Sequence, residues 1–213
     1  LAGDKIKYNG DHWGNVEVQL TDAFFADEKA LSNNYVIPVV MKKQTGADRI
    51  LTGTPLIEGD APARPNSDYW SVQPQDYVLY CVKYMNPWHA SYLRRGIDQV
   101  TESGTTTTVV RHAQSVEKDE VCDITTRSLK TAVFPVSTKE VDGTTMKCDL
   151  LLTFNDNDEC TIVSGTTGIT ATGSGKFVEN GEKKAWGGKD RDAIYLDYSV
   201  DFGIKKVATK DTL

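Results

Sequence analysis

Catalytic signatures are missing from this sequence. There is no GxSxG elbow, and no cysteine stands in a catalytic context. There is no HExxH or HxH, and His12, His89 and His112 have no metal-ligand spacing. The four cysteines, Cys81, Cys122, Cys148 and Cys160, include no CxxC pair, which argues against a zinc knuckle or a redox motif. Four in 213 residues are also too few for a disulfide scaffold. No apolar run is long enough to span a bilayer. Basic charge is short as well. With 24 Lys and Arg against 30 Asp and Glu, the net charge is −6, the wrong sign for a nucleic-acid partner. The chain opens on Leu1 rather than Met, so the lack of a visible signal peptide is no argument against export.

What is present has a period of two. In "AIYLDYSVDFG", Ile194, Leu196, Tyr198, Val200 and Phe202 share one face, and Tyr195, Asp197, Ser199 and Asp201 the other. That alternation predicts a half-buried antiparallel strand. "VEVQL" aligns Val16, Val18 and Leu20 in the same way, and "NYVIPVVMKK" is an apolar run whose Pro38 suggests an edge or a bulge. "TTTTVV" is β-branched throughout. Cys148 shares a strand face with Leu150, Leu152 and Phe154, so a buried thiol is its plain reading. One disulfide in an oxidising compartment is the alternative. Hairpin turns are expected at "FNDNDEC", at Asp142-Gly143 and at Asn180-Gly181. Two stretches read as short helices. One is "TDAFFADEKALS". The other is "NPWHASYLRRG", with Asn86 as N-cap, Pro87 in the first turn and Gly96 as the stop. The latter follows "YVLYCVKY", read as a core strand.

Prolines 55, 62 and 65 fall in "TGTPLIEGDAPARPNSDYW", with Pro74 just beyond, and mark a linker. The expected organisation is all-β. A small unit spans 1–60, a Pro-rich linker 61–75, and an antiparallel β-sandwich or barrel 76–213.

Candidate sites are few. "TATGSGKF" lacks phosphate-loop spacing, so Gly173 and Gly175 mark a bulge or a close backbone approach. Asp156, Asp158 and Glu159 read as a solvated hairpin tip rather than a calcium loop. Asp190, Asp192 and Asp197 surround Arg191. They offer a carboxylate pair for glycoside hydrolysis, or simple charge pairing at a strand entrance. The four tryptophans, Trp13, Trp70, Trp88 and Trp186, lie in Gly-, Pro- or Asn-rich surroundings. Exposed Trp and Tyr stack on sugar rings; buried ones plug the ends of β structures. Trp70, Trp88, Tyr92 and Trp186 are the candidate ligand-binding set. No catalytic residue, metal ligand or cofactor is assigned.

Taken together, the segments resemble two families. "GNVEVQLTDAFFADEKALSNNYVIPVVMK" is similar to the second half of the N-terminal domain of Bacteroidetes surface lipoproteins, domain of unknown function 1735. "DYVLYCVKYMNPWHASYLRRG" and "GSGKFVENGEKKAWGGKDRDAIYLDYSVDF" resemble its C-terminal companion, domain of unknown function 5627. The resemblance implies an Ig-like β-sandwich unit, incomplete at its start, followed by a sandwich or lipocalin-like barrel. It also implies a secreted, cell-surface or outer-membrane lipoprotein, tied to the membrane only through a lipid anchor absent from this chain. Its partners would be glycan and other outer-membrane glycan-uptake proteins. Three functions are open at this point: a non-catalytic glycan-binding or adhesion protein, a glycoside hydrolase, and a lipocalin-like carrier of a small ligand.

Overall fold

The computed structural model describes residues 3–8, 10, 14–140 and 142–213. His12 and Trp13 lie outside the described residues. The chain divides into two units, Leu1–Tyr84 and Met85–Leu213.

The first unit holds α1 (Asp22–Ala26), a 3-10 turn at Glu28–Leu31, and four short strands. These are β1 (Tyr35–Val40), β2 (Thr54–Pro55), β3 (Trp70–Val72) and β4 (Tyr77–Val82). β1 pairs antiparallel with β4, and β2 with β3, giving two separate ribbons. Pro38 is tolerated because each strand of a two-stranded ribbon is an edge. Residues 16–20 form no strand, contrary to their alternation, and among the described residues no neighbour supplies a ladder. Phe24, Phe25, Tyr35 and Tyr84 meet edge to face, with centroids 5.3–5.6 Å apart. Asp76, whose side chain is 1% exposed, is gripped by both arms of Arg64 at 2.9 Å.

The division falls later in the chain than its prolines suggest. The strand at 77–82, expected to open the larger domain, pairs with β1 and belongs to the first unit. The Pro-rich stretch is therefore a loop within that unit, folded back so that Leu56 N bonds to Tyr69 O at 2.8 Å.

The second unit is built of β5 (Ala90–Glu102), β6 (Thr105–Arg111), β7 (Glu120–Thr126), β8 (Thr131–Lys139) and β9 (Thr145–Phe154). β10 (Glu159–Ser164), β11 (Thr170–Glu182), β12 (Arg191–Asp201) and β13 (Lys205–Thr212) follow. All pairings are antiparallel. The sheet runs β13-β12-β11-β10-β9-β8-β7-β5, and β13 pairs back onto β5, closing an eight-stranded barrel. The thirteen-residue β5 makes this closure possible. Its first half pairs with β7; its second half lies between β13 and β6.

The helix predicted at 86–96 is not formed. Asn86 and Pro87 enter a turn, and the rest is β5. Asn86 Nδ2 donates to the carbonyls of Ser128 and Thr131, so its capping chemistry serves a loop across the barrel end. Gly96 is not a helix stop. It sits on β5 opposite Asp211, where a Cβ would collide with that carboxylate. Asn180-Gly181 is not the hairpin turn either. It lies within β11 at an irregularity between Val178 and Glu182, with Asn180 at φ 52°, and the turn moves to residues 183–190. The turns at 155–158 and around Gly143 fall where the sequence puts them.

The barrel interior is packed with side chains. Ile194, Leu196, Tyr198, Val200 and Phe202 point inward from β12 and its end, as their alternation requires. They join Phe134 and Val136 from β8 and Cys148, Leu150, Leu152 and Phe154 from β9. An eight-stranded barrel is just wide enough to be filled in this way. The core that fills it leaves the lipocalin-like carrier reading without the ligand space it needs. On β11, Gly175 lets the backbone pass close to Leu196 and Cys160, the close approach its sequence context suggests.

Candidate functional site

The four candidate aromatics fall in three different settings. Trp70 belongs to the first unit, where it is buried and its Nε1 donates to Ala63 O at 3.2 Å. Trp88 is buried at one end of the barrel, stacked on Phe154. Tyr92 is buried beside it and donates its hydroxyl to Trp88 O at 3.1 Å. Burial, then the charges of Asp192 and Cys122, push the Tyr92 phenol up to about 12. Trp186 is 53% exposed. Trp70 and Trp88 therefore present no free ring face. The barrel brings only Tyr92 and Trp186 to one surface.

That surface is a groove of about 810 Å³, walled by the first half of β5, the β11–β12 turn and the chain end at Leu213. Its lining combines apolar side chains, among them Pro87, Tyr92, Leu93 and Val121, with Trp186 and charged groups. The turn that presents Trp186 is tied down at several points. Asp190 accepts from Lys184 N and from Lys183 Nζ, both at 3.1 Å. Lys184, Gly187 and Gly188 all take left-handed backbone angles there. Arg191 Nε donates to Trp186 O at 3.2 Å, and its Cζ lies 4.9 Å from the indole centroid. Such a cation–π contact is worth about 0.5–1 kcal/mol at an exposed site and orients both groups. Residue pattern alone did not single out Lys184 or Arg191 as ligand contacts. The available signal was the tight "KKAWGGKDR" string, in which glycines hold a Trp between cations.

Deeper in the barrel wall lies a charge cluster. Arg94 Nε meets Asp211 Oδ2 at 3.0 Å, and its guanidinium lies over the Phe134 ring at 5.1 Å. Arg111 bridges Asp98 (2.6 and 2.9 Å) and Asp211 (2.5 Å). Tyr198 donates to Asp211 at 2.9 Å. Burial pushes the Asp98 carboxyl up, but hydrogen bonds from Arg111 and Thr209 and the nearby positive charges outweigh it and hold it below the ordinary range. Arg95 pairs with Asp119, which is fully buried. The two arginines of the "YLRRG" string thus face buried carboxylates. His89 is equally committed: its Nδ1 accepts from Thr126 N at 3.0 Å.

The family model for a domain of unknown function, DUF5627, matches residues 87–213, the barrel and its entry turn. The chain belongs to the DUF5627 family. A crystal structure at 2.40 Å of a protein of unknown function from Bacteroides ovatus is similar to it, with 50% sequence identity and a TM-score of 0.83. The likeness covers 91% of this chain and 62% of that one, so the chain spans under two thirds of that protein's length. No curated protein matches.

Within the DUF5627 barrel, the carboxylates offered for glycoside hydrolysis do not form a pair. Asp190 is held by Lys183 and Lys184 N, Asp192 accepts from Asn180 N at 2.8 Å, and Asp197 meets Lys210 at 3.3 Å. Arg191, their expected partner, turns to Trp186 instead. Asp156 pairs with Lys130 at 2.6 Å. Among the described residues no group of three His, Cys, Asp or Glu could hold a metal ion. A second trough, of about 960 Å³, crosses β9 to β13, but its lysines are already paired, Lys176 with Glu159 and Lys210 with Asp197.

Proposed function

We propose that this chain is a non-catalytic glycan-binding protein of the bacterial cell surface, with the Trp186 groove as its binding site. One observation carries the reading. A half-exposed indole, fixed by Arg191, lines a groove that mixes apolar and charged side chains. Sugars are bound by such a combination, an aromatic face for the C–H surface and polar groups for the hydroxyls. The resemblance of the sequence segments to Bacteroidetes surface lipoproteins supports a surface role beside glycan-uptake proteins. In this reading the protein is exported and anchored by a lipid attached outside this chain, and the first unit corresponds to part of domain of unknown function 1735. Adhesion to glycosylated surfaces is the same chemistry put to another use. The hydrolase reading has less support, because Asp190, Asp192 and Asp197 each have a separate partner.

Affinity electrophoresis through gels cast with host and dietary polysaccharides tests this. Retardation in at least one gel is expected, and Trp186→Ala should abolish it. A folded protein that migrates freely in every gel would count against the proposal.

A further inference from the structure

We infer that the Trp186 groove takes an acidic saccharide, one carrying a carboxylate or sulfate; this rests on the glycan-binding reading and names its substrate class. The ionic partners around the groove lead to it. Four cations line it, Arg95, Lys183, Lys184 and Arg191, against three carboxylates, Glu117, Glu182 and Asp192. The chain as a whole has the opposite balance, −6. Most of these charges are already committed. Arg95 is bound to Asp119 and Lys183 to Asp190. Glu182 accepts from the Tyr195 hydroxyl at 2.8 Å and Asp192 from Asn180 N.

Two lining side-chain cations, those of Lys184 and Arg191, meet no carboxylate among the described residues. Of the three lining acids, Glu182 and Asp192 are held by neutral donors and Glu117 by no cation among the described residues, so the placement of one guanidinium, rather than net charge, is what selects an anion. Arg191 is the better placed. Its Nε is spent on Trp186 O, which fixes the guanidinium beside the ring, while its two terminal nitrogens keep their donors. A planar guanidinium grips a carboxylate or sulfate through two parallel hydrogen bonds. With the indole beside it, the pair recognises an apolar sugar face and an anionic substituent together. Anionic groups would not accumulate on a net-negative protein without such local charge, so retention of a polyanion would report on the groove itself.

The experiment is affinity electrophoresis of the whole chain in gels containing polygalacturonate, dextran sulfate or neutral dextran. Retardation is expected with one or both polyanions and not with dextran. Polygalacturonate alone would assign a carboxylate ligand, and dextran sulfate alone a sulfate. Arg191→Ala should weaken retention about tenfold or more, the loss of one charge-assisted contact. Arg191→Lys should recover it only in part, and Lys130→Ala, which removes a cation outside the groove, should change it little. Far-UV circular dichroism checks that each variant is folded. Retention by neutral glycans alone would overturn this inference and leave the glycan-binding reading standing. Polyanion retention that survives Arg191→Ala would overturn it too. A folded protein retained by no glycan of any kind would sink both.

Discussion

Trp88 lies flat on Phe154, with ring centroids 3.9 Å apart and planes 9° from parallel. The two are 6% and 2% exposed, and together they close one end of the barrel core. A side chain so placed is a structural plug. Trp88→Ala should therefore cost about 3–5 kcal/mol in urea denaturation. The Nε1 donor is buried without a partner among the described residues, so Trp88→Phe should cost far less. An alanine variant as stable as the parent would contradict the burial assigned to this residue.

Asp211 has a fully buried side chain between Arg94 and Arg111. Removing the carboxylate leaves the buried Arg94 with only the longer carboxylate contact, to Glu120 at 3.5 Å, while Arg111 keeps Asp98. Asp211→Ala should destabilise by about 3–5 kcal/mol, the usual loss on breaking a buried pair. The paired change Asp211→Ala with Arg94→Met should recover part of this. Chemical denaturation of the single and double variants decides it.

Stability should fall at both ends of the pH scale. Asp76, held down chiefly by its bonds to Arg64, and Asp98 both have carboxyl pKa values below the ordinary range. A folded value below the unfolded one gives stability that is complete above about pH 4 and is lost as pH falls further. Burial raises the Tyr198 phenol, and lifts Tyr92, Cys122 and Cys160 to about 12. For these the sign reverses. Their contribution is complete below the unfolded thiol and phenol values and drains as pH rises through the folded ones. Melting temperatures across pH 3–12 should form a plateau with a drop at each end. A continued rise toward pH 11 would contradict it.

All four cysteines are free thiols, but only Cys81 is exposed. The single disulfide weighed from the sequence is not formed, and Cys148 is buried as its strand face predicts. At pH 8 a chromogenic disulfide reagent should titrate one thiol quickly and the rest only after unfolding. Two or more fast thiols in the native protein would contradict this placement.

Much of the barrel was legible because its strands alternate cleanly. β12 and β9 show their inward faces in the sequence, and those residues are the core. β5 was misread because Arg94 points inward, which hides the apolar alternation. Its partner Asp211 lies 117 residues away, so no local pattern could announce it. Asn86, Pro87 and Gly96 then looked like helix punctuation, although Asn86 answers to a distant loop and Gly96 to a distant strand. The strand at 77–82 was recognised as a strand but given to the wrong unit, since a strand's own pattern does not say which neighbour it will bond. The groove was half legible. Trp186 and Tyr92 stood out as aromatics, whereas Lys184 and Arg191 became candidates only once their charge partners could be checked.

The most direct test of the central claim is isothermal titration of a polysaccharide that retards the protein into wild type and Trp186→Ala. The account predicts saturable binding by wild type, no turnover of the glycan, and loss of binding in a variant with an unchanged melting temperature. Equal binding by the two proteins, or release of shorter sugars during the titration, would contradict it.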